Sequence, residues 1–347
     1  MKTPHLPRHP AKKPLREDRG LHAGNPEGLS HRWAIVLAGG DGVRLRILTR
    51  LICGDDRPKQ FCPLLSDCTL LEQARQRAER SIPAQQILFA LTKAHQDHYL
   101  RDLGHRLCHR IVQPSNKGTA PPILYSLLQI AHADPDATVA VLPCDHYYSD
   151  ESHFTKTLES AFQVASKQPH SVVLLGAQPD SAEVEYGWID VNAGTPEQML
   201  QVRGFHEKPD VHVAQRLFQN GALWNTFVMV GRVGAFLRMA TAAVPNLLQM
   251  LRSTTRGLHI ERETRIPDSL YDRVSPVDFS RHILSPASQQ LIALRLGEMQ
   301  WHDLGSPGRV VSTLLARNVE LPAWAERWLA AKIPVGGCAP LSESAVA

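Results

Sequence analysis

Three short runs of uninterrupted apolar residues constrain this chain more than any other feature. They are WAIVLA (33–38), ATVAVLP (137–143) and SVVLLGA (171–177). Runs of this length without polar alternation are typical of strands buried on both faces, as in a parallel sheet covered by helices. Helical patterns stand between them, including a Thr69-Leu-Leu-Glu72 capping box that opens an amphipathic stretch. The alternation predicts an α/β fold with a mixed, mainly parallel sheet flanked by helices.

Length and composition predict one large domain with a tail at each end. The chain has 347 residues, of which 43% are hydrophobic, enough for a sizeable core. Its first stretch is basic and rich in proline, and it lacks the apolar segment of a secretory signal. We therefore expect a disordered tail over residues 1–31, a catalytic domain over 32–330 and a flexible tail over 331–347.

Charge, hydropathy and cysteine spacing exclude several classes of protein. The net charge of +4 suits small anions, but there is no clustered basic patch of the kind that binds nucleic acid. No segment approaches the roughly 18 apolar residues of a membrane-spanning helix. None of the six cysteines forms a CxxC pair, so we expect free thiols in a reducing, cytoplasmic compartment. Whether the chain forms a homo-oligomer is left open.

The first apolar run ends in a glycine-rich turn that is followed by arginines. Gly39, Gly40 and Gly42 allow the backbone to come close to a ligand. Arg44 and Arg46 offer forked donors that match phosphate oxygens. The turn is neither a GxGxxG dinucleotide fingerprint nor a GK[ST] phosphate loop. By itself it is equally compatible with an ordinary connection between two elements.

Three more polar residues lie where a ligand site is expected. Lys59, in DDRPKQF (55–61), is typical of a surface lysine alone but becomes a second phosphate ligand beside the glycine turn. Asp145 follows the run at 137–143, at the strand end where open α/β sheets bind ligands. Asp303, in WHDLG, stands at another such junction. Each aspartate is either a turn cap or a ligand of a hard divalent cation, and the spacing leaves both readings open.

The order of the motifs is more specific than any one of them. They are LAGGDGVRL, RPKQF, QPSNKGTAP, LPCDHY, EYGWI, FHEKP, WNTFVM and WHDLG. This ordered set resembles the sugar-1-phosphate nucleotidyltransferase family over roughly residues 33–315. PKQF, the GTAP turn, PCDH and WNTF resemble its mannose-1-phosphate guanylyltransferase branch.

The resemblance implies a Rossmann-like nucleotidyltransferase fold and a reaction. A sugar 1-phosphate oxygen attacks the α-phosphorus of a nucleoside triphosphate, and pyrophosphate leaves; this needs charge neutralisation and positioning. By resemblance, the nucleotide contacts are Leu37, Gly39, Gly40, Gly42, Gln113 and Gly118, and the catalytic residues are Arg44 and Lys59. The implied sugar-phosphate contacts are Gly187, Glu207, Lys208 and Asn225. The implied cofactor is Mg²⁺, held by Asp145 and Asp303.

Some positions depart from the guanylyltransferase pattern. Gln113 and Lys117 stand where that branch often has glutamate and arginine, and Gln113 also resembles the thymidylyl branch. Ile47 replaces a proline, and His282 lies near a usual acidic position, although Asp278 is kept. We expect GDP-mannose synthesis from GTP and mannose 1-phosphate. The alternative is another hexose-1-phosphate nucleotidyltransferase that uses dTTP or UTP and glucose 1-phosphate.

The rival from a different class is a non-catalytic regulatory homologue that binds a nucleotide sugar. Such a protein would tend to lose Arg44, Lys59 or one of the two aspartates, and all of them are present. An NAD-dependent oxidoreductase is excluded because its fingerprint and its ribose-binding acid are missing. We therefore predict an enzyme.

Overall fold

The predicted apolar runs form the centre of a large mixed sheet in the computed structural model. The structure describes residues 31–332, except 193, 196–198, 256–259 and 318. In this part of the chain, one sheet contains ten strands. They are β1 (Arg32–Leu37), β2 (Ile87–Thr92), β3 (His109–Gln113), β4 (Thr138–Pro143), β6 (Val172–Ala177), β7 (Gly187–Val191), β8 (Leu200–Glu207), β9 (Leu223–Arg232), β10 (Glu263–Arg265) and β11 (Leu291–Arg295). A separate small sheet pairs β5 (Tyr147–Tyr148) with β12 (Trp301–His302).

Helices connect most of the strands. The α-helices of the described residues are α1 (Arg46–Cys53), α2 (Leu70–Glu79), α3 (Gln96–Leu103), α4 (Ala120–Ala133), α5 (Glu151–Lys167), α6 (Val211–Gln219), α7 (Val233–Ala243), α8 (Pro245–Thr255), α9 (Asp268–Tyr271), α10 (Pro307–Ala316) and α11 (Ala323–Lys332). The predicted α/β class with a mixed sheet is confirmed.

The strand order is β10-β3-β2-β1-β4-β9-β6-β11-β8-β7. β10, β3, β2, β1 and β4 are all parallel to one another. β9 runs antiparallel to both β4 and β6, so it joins the parallel block to the rest of the sheet. Beyond it, β6 and β11 are parallel, whereas β8 and β7 add antiparallel pairs.

Both faces of the sheet are buried, which explains the uninterrupted apolar runs. Along β1, Trp33 and Ile35 belong to one hydrophobic cluster, which also contains α4 and α7 residues. Ala34 and Val36 belong to a second cluster, on the face covered by α2 and α5. Because successive side chains of a strand point to opposite faces, each face needs apolar residues, and the sequence cannot alternate.

Local sequence signals set the starts of two of the helices. The Thr69 hydroxyl accepts a hydrogen bond from the Glu72 amide at 3.2 Å, which confirms the N-cap of α2. α4 begins at Ala120 with Pro121 and Pro122 in its first turn, where the missing proline N–H groups have no helical partner to lose.

The ends of the chain were predicted to be tails. Apart from His31 and the backbone of residues 331 and 332, the predicted tails at 1–31 and 331–347 lie outside the described residues. Among the helices that are described, none combines the length and the apolar character that crossing a bilayer requires.

Candidate active site

A cavity of about 420 Å³ opens at the carboxyl ends of the parallel strands. Leu37 lies at the end of β1, Gln113 at the end of β3 and Pro143 at the end of β4, and all three line it. This is the edge where open α/β sheets bind ligands. Among the predicted site residues, those that line the cavity are Leu37, Gly39, Gly40, Gln113, Gly118, Asp145, Gly187, Glu207, Asn225 and Asp303. The predicted residues Gly42, Arg44, Lys59 and Lys208 lie outside its lining.

Side chains from distant segments hold the glycine turn in place. The buried Gln60 amide donates to the carbonyls of Ala38 and Gly40, at 3.0 and 2.7 Å. The Thr92 hydroxyl donates to the Gly39 carbonyl at 2.8 Å. Three consecutive carbonyls are thus bonded to the protein, which fixes the backbone that faces the cavity. Sequence reasoning missed both Gln60 and Thr92.

Gly42 packs the turn against the segment that carries Lys59. Its φ of 58° is left-handed, and a Cβ there would lie 2.9 Å from the Lys59 nitrogen and 3.2 Å from the Pro58 Cα. Both the conformation and the close approach require glycine. The two phosphate-binding motifs predicted from the sequence are therefore in direct contact.

Lys59 bridges the two predicted metal ligands. Its Nζ lies 3.0 Å from an Asp145 carboxylate oxygen and donates to the carbonyls of Asp303 and Leu304, each at 3.0 Å. An ammonium has three donors, so all three are engaged within the protein. The side chain is 13% exposed. Lys59 therefore anchors the aspartates, and a phosphate would have to displace one of these contacts to bind it.

Asp303 is held in its ionised form with one oxygen available. Burial alone would raise its pKa, but the charges of Arg309, His146 and Lys59 lower the pKa below its usual value. Tyr186, Arg309 and the Gly305 amide all donate to Oδ1, at 3.3, 3.0 and 2.9 Å. Oδ2 receives no hydrogen bond from the described residues.

This donor set fits Mg²⁺. Asp145 and Asp303 both line the cavity, and no group of three potential metal-binding side chains occurs among the described residues. Mg²⁺ commonly takes one or two carboxylates and completes its shell with phosphate oxygens and water. Two carboxylates on an open cavity are therefore enough for a cation that arrives with a phosphorylated ligand.

Arg44 lies on the surface beside the cavity. Its guanidinium pairs with the Glu185 carboxylate at 3.1 Å, and the two side chains are 60% and 50% exposed. Glu185 lines the cavity although the sequence did not single it out. An exposed pair of this kind contributes little to stability, so both groups are free to rearrange around a charged ligand.

The opposite wall is built where β7, β8 and β9 meet. Gly187 pairs with Glu207 across β7 and β8, and a Cβ at Gly187 would lie 2.8 Å from a Glu207 carboxylate oxygen. Burial and the nearby charge of Asp278 raise the pKa of Glu207. Asn225 accepts a hydrogen bond from the Phe227 amide at 3.1 Å. Exposed Lys208 follows Glu207 at the rim.

Aromatic residues support this wall. The buried Trp188 and Trp224 rings are 6.1 Å apart, and Tyr186 packs against Trp224 at 5.0 Å. Trp301 also lines the cavity and donates to His146 at 3.3 Å. Trp188, Trp224 and Trp301 are all buried and belong to the same hydrophobic cluster.

Comparison with known proteins identifies the family of this chain. Residues 33–313 match a family model described as nucleotidyl transferase. The chain is 27% identical over 277 residues to the xanthan biosynthesis protein XanB of Xanthomonas campestris pv. campestris (strain B100), covering 78% of this chain and 57% of that protein. It is 25% identical over 278 residues to the mannose-1-phosphate guanylyltransferase RfbM of Salmonella typhimurium, covering 78% and 56%.

The fold has a matching solved structure. A crystal structure described as mannose-1-phosphate geranyltransferase from Thermus thermophilus aligns with a TM-score of 0.69 and 25% identity, over 79% of this chain and 76% of that chain. The chain spans little more than half the length of XanB and RfbM. The match over residues 33–313 nevertheless covers most of the chain, which therefore belongs to the nucleotidyl transferase family, in agreement with the predicted sugar-1-phosphate nucleotidyltransferase.

Proposed function

We propose that this chain makes GDP-mannose and pyrophosphate from GTP and mannose 1-phosphate. An oxygen of the sugar phosphate attacks the α-phosphorus of GTP, and the bond from that phosphorus to the β-phosphate oxygen breaks. The observation that carries the proposal is one cavity lined by the fixed glycine turn, by the wall of Gly187, Glu207 and Asn225, and by the two aspartates Asp145 and Asp303. The similarity to RfbM supports the choice of nucleotide and sugar.

The residues of the chain act by positioning and charge. Asp145 and Asp303 would hold Mg²⁺, which when bound neutralises phosphate charge. Lys59 keeps both aspartates in place through its three contacts. The glycine turn binds the nucleotide phosphates close to the backbone, and Arg44 exchanges Glu185 for a phosphate at the entrance. Lys208 at the rim binds the phosphate of the sugar.

One observation favours a second candidate within the same chemistry. Gln113 lines the cavity with an amide where guanylyltransferases often have a carboxylate, and Lys117 stands for an arginine. An amide also suits the bases of dTTP and UTP. The alternative is therefore a hexose-1-phosphate nucleotidyltransferase that uses dTTP or UTP with glucose 1-phosphate.

The test is pyrophosphate release by the full chain with Mg²⁺. GTP, dTTP, UTP, CTP and ATP are each offered with mannose 1-phosphate and with glucose 1-phosphate. Release that is highest with GTP and mannose 1-phosphate supports the proposal. Release that is highest with another pair supports the same reaction type and contradicts the proposed choice of substrates. No release from folded protein would instead favour a regulatory homologue that binds nucleotide sugars.

A further inference from the structure

A chain of hydrogen bonds behind the cavity has only one consistent direction. The Gly39 carbonyl can only accept, so the Thr92 hydroxyl 2.8 Å away must donate its single hydrogen there. The Thr92 oxygen is then left as an acceptor for Gln113 at 3.1 Å, and only the amide nitrogen of Gln113 can donate to it. The amide oxygen of Gln113 therefore faces Tyr271, whose hydroxyl donates to it.

The three side chains that form these hydrogen bonds are all buried. Thr92, Gln113 and Tyr271 are 2%, 3% and 1% exposed. They come from the end of β2, the end of β3 and the last residue of α9. Burial raises the pKa of Tyr271, so its hydroxyl keeps the proton that it donates. A flipped amide would set its oxygen against the Thr92 oxygen with no hydrogen between them, and would leave the buried Tyr271 proton without its acceptor, which is costly.

We infer that Thr92 and Tyr271 are positioning residues that fix the orientation of the Gln113 amide and thereby determine which nucleobases the cavity accepts. The inference rests on the proposed function, because it concerns the nucleotide of that reaction. The hydrogen bonds to Thr92 and Tyr271 leave one N–H and one oxygen lone pair of the Gln113 amide unused, and Gln113 lines the cavity.

A fixed amide distinguishes two classes of base. Guanine, uracil and thymine present a carbonyl beside a ring N–H, whereas adenine and cytosine present an amino group beside a ring nitrogen that accepts. Turning the amide over exchanges its donor and acceptor, and so exchanges the class that it matches. With GTP as the proposed substrate, the fixed orientation matches the oxo bases and rejects the amino bases.

The experiment measures the preference for GTP over ATP. The ratio of kcat/KM for the two nucleotides is determined with mannose 1-phosphate and Mg²⁺, and the ratio of their dissociation constants by calorimetry. Tyr271→Phe and Thr92→Val are each expected to lower both ratios about tenfold, the size of one lost hydrogen bond to a buried group. Thr92→Ser keeps the hydroxyl and is expected to keep the ratios.

Tyr99→Phe is the matched control. Tyr99 is fully buried, and its hydroxyl has no hydrogen-bond partner in the described part of the chain. The substitution removes the same atom from another buried tyrosine, so the ratios are expected to stay unchanged. Circular dichroism confirms folding, and if Tyr271→Phe does not fold, the pair Thr92→Val and Thr92→Ser carries the test.

The outcomes separate the inference from the proposed function. Lower turnover with an unchanged ratio in both Tyr271→Phe and Thr92→Val marks a merely structural role and overturns the inference. So does a wild type that does not discriminate GTP from ATP in binding. A wild type that binds GTP selectively but releases no pyrophosphate contradicts the proposed function alone, and the binding ratios of the variants still decide the inference.

Discussion

At the scale of single residues, Lys59 has a larger structural role than its motif indicates. Its ammonium joins the Asp145 carboxylate to the backbone of Asp303 and Leu304, which lie more than 240 positions away in sequence. These contacts form where the two predicted metal ligands meet. Removing the ammonium is therefore expected to disturb the proposed metal site and the packing of the segment around Asp303 together.

Lys59→Ala is expected to lower pyrophosphate release by at least about 100-fold, because the anchored charge near the phosphates is lost. It is also expected to lower the free energy of unfolding by about 1–3 kcal/mol, since Asp145 and two carbonyls lose a donor. Steady-state kinetics and urea unfolding measure the two effects. Lys93→Ala, at a lysine that is 54% exposed, is the control and should change neither. A near-normal rate in Lys59→Ala would contradict the assignment.

Glu207→Gln is expected to change the pH dependence of stability. Burial and the charge of Asp278 raise the pKa of Glu207 above its usual 4.5. The stabilising contribution of the protonated group is present below that value and is lost as the pH rises through the folded-state pKa. The glutamine variant does not ionise, so it should gain stability relative to the wild type between about pH 5 and about pH 8.

Urea unfolding of both proteins at the two pH values checks this expectation. Glu298→Gln, which changes an exposed carboxylate, serves as the control. If the difference in unfolding free energy between wild type and Glu207→Gln is the same at both pH values, the raised pKa of Glu207 is contradicted.

The sequence predicted the residues that line the cavity better than the residues that position them through hydrogen bonds. Ten of the lining residues were predicted as site residues, since each lies in a short recognisable stretch. Gln60, Thr92 and Tyr271 act through hydrogen bonds to partners 20 to 158 positions away. No local pattern records such a contact, so these roles became visible only in three dimensions.

At the scale of elements, the strands with uninterrupted apolar runs were predictable, whereas β3 and β10 were not. β1, β4 and β6 match the predicted apolar runs to within one residue at either end. β3 begins and ends with polar residues, and β10 is only three residues long, without an apolar side chain. β10 lies at the edge of the sheet, where one side needs no strand partner and the apolar signal is weak.

Strained backbone occurs at, or directly after, residues that line the cavity. Lys208, Phe227 and Leu304 are the non-glycine residues with positive φ in the described part of the chain, at 48°, 58° and 48°. Phe227 lines the cavity, and the other two directly follow Glu207 and Asp303. Such conformations cost of order 1–3 kcal/mol each and concentrate at functional sites. The hydrophobic periodicity of the sequence does not predict these positive-φ conformations.

Gly42→Ala is expected to be more disruptive than Gly54→Ala. Both glycines have left-handed φ, at 58° and 78°, so each substitution brings a similar backbone penalty of about 1 kcal/mol. A Cβ at Gly54 meets nothing within 4 Å, whereas at Gly42 it would lie 2.9 Å from the Lys59 nitrogen. The additional loss in unfolding free energy and in kcat/KM at Gly42 therefore measures the contact between the two segments. Equal losses in both variants would contradict that contact.

At the scale of the whole molecule, the cavity joins segments from Leu37 to Asp303. A ligand that binds there stabilises the entire fold, by about 2.7 kcal/mol at 100 times its dissociation constant. GTP with Mg²⁺ is therefore expected to raise Tm by about 5 °C. Removal of Mg²⁺ with EDTA should abolish most of the shift, because Asp145 and Asp303 then repel the phosphates.

Differential scanning calorimetry measures this shift. Asp145→Asn is the matched variant, since it keeps the shape of the side chain and removes one of the two charges that would hold the cation. Its Tm should depend less on Mg²⁺ than that of the wild type. An equal rise in Tm with GTP in the presence of EDTA would show that the metal is not part of the nucleotide site.

The position of β9 between β4 and β6 also has a consequence for how the chain is made. The parallel strands near the N-terminus and the β6 strand are synthesised well before residues 223–232, yet they meet only through β9. A nascent chain that ends before residue 232 therefore exposes the unpaired edges of two incomplete sheets. Folding on the ribosome has to wait for that strand, and this interval is when the chain most needs protection from aggregation.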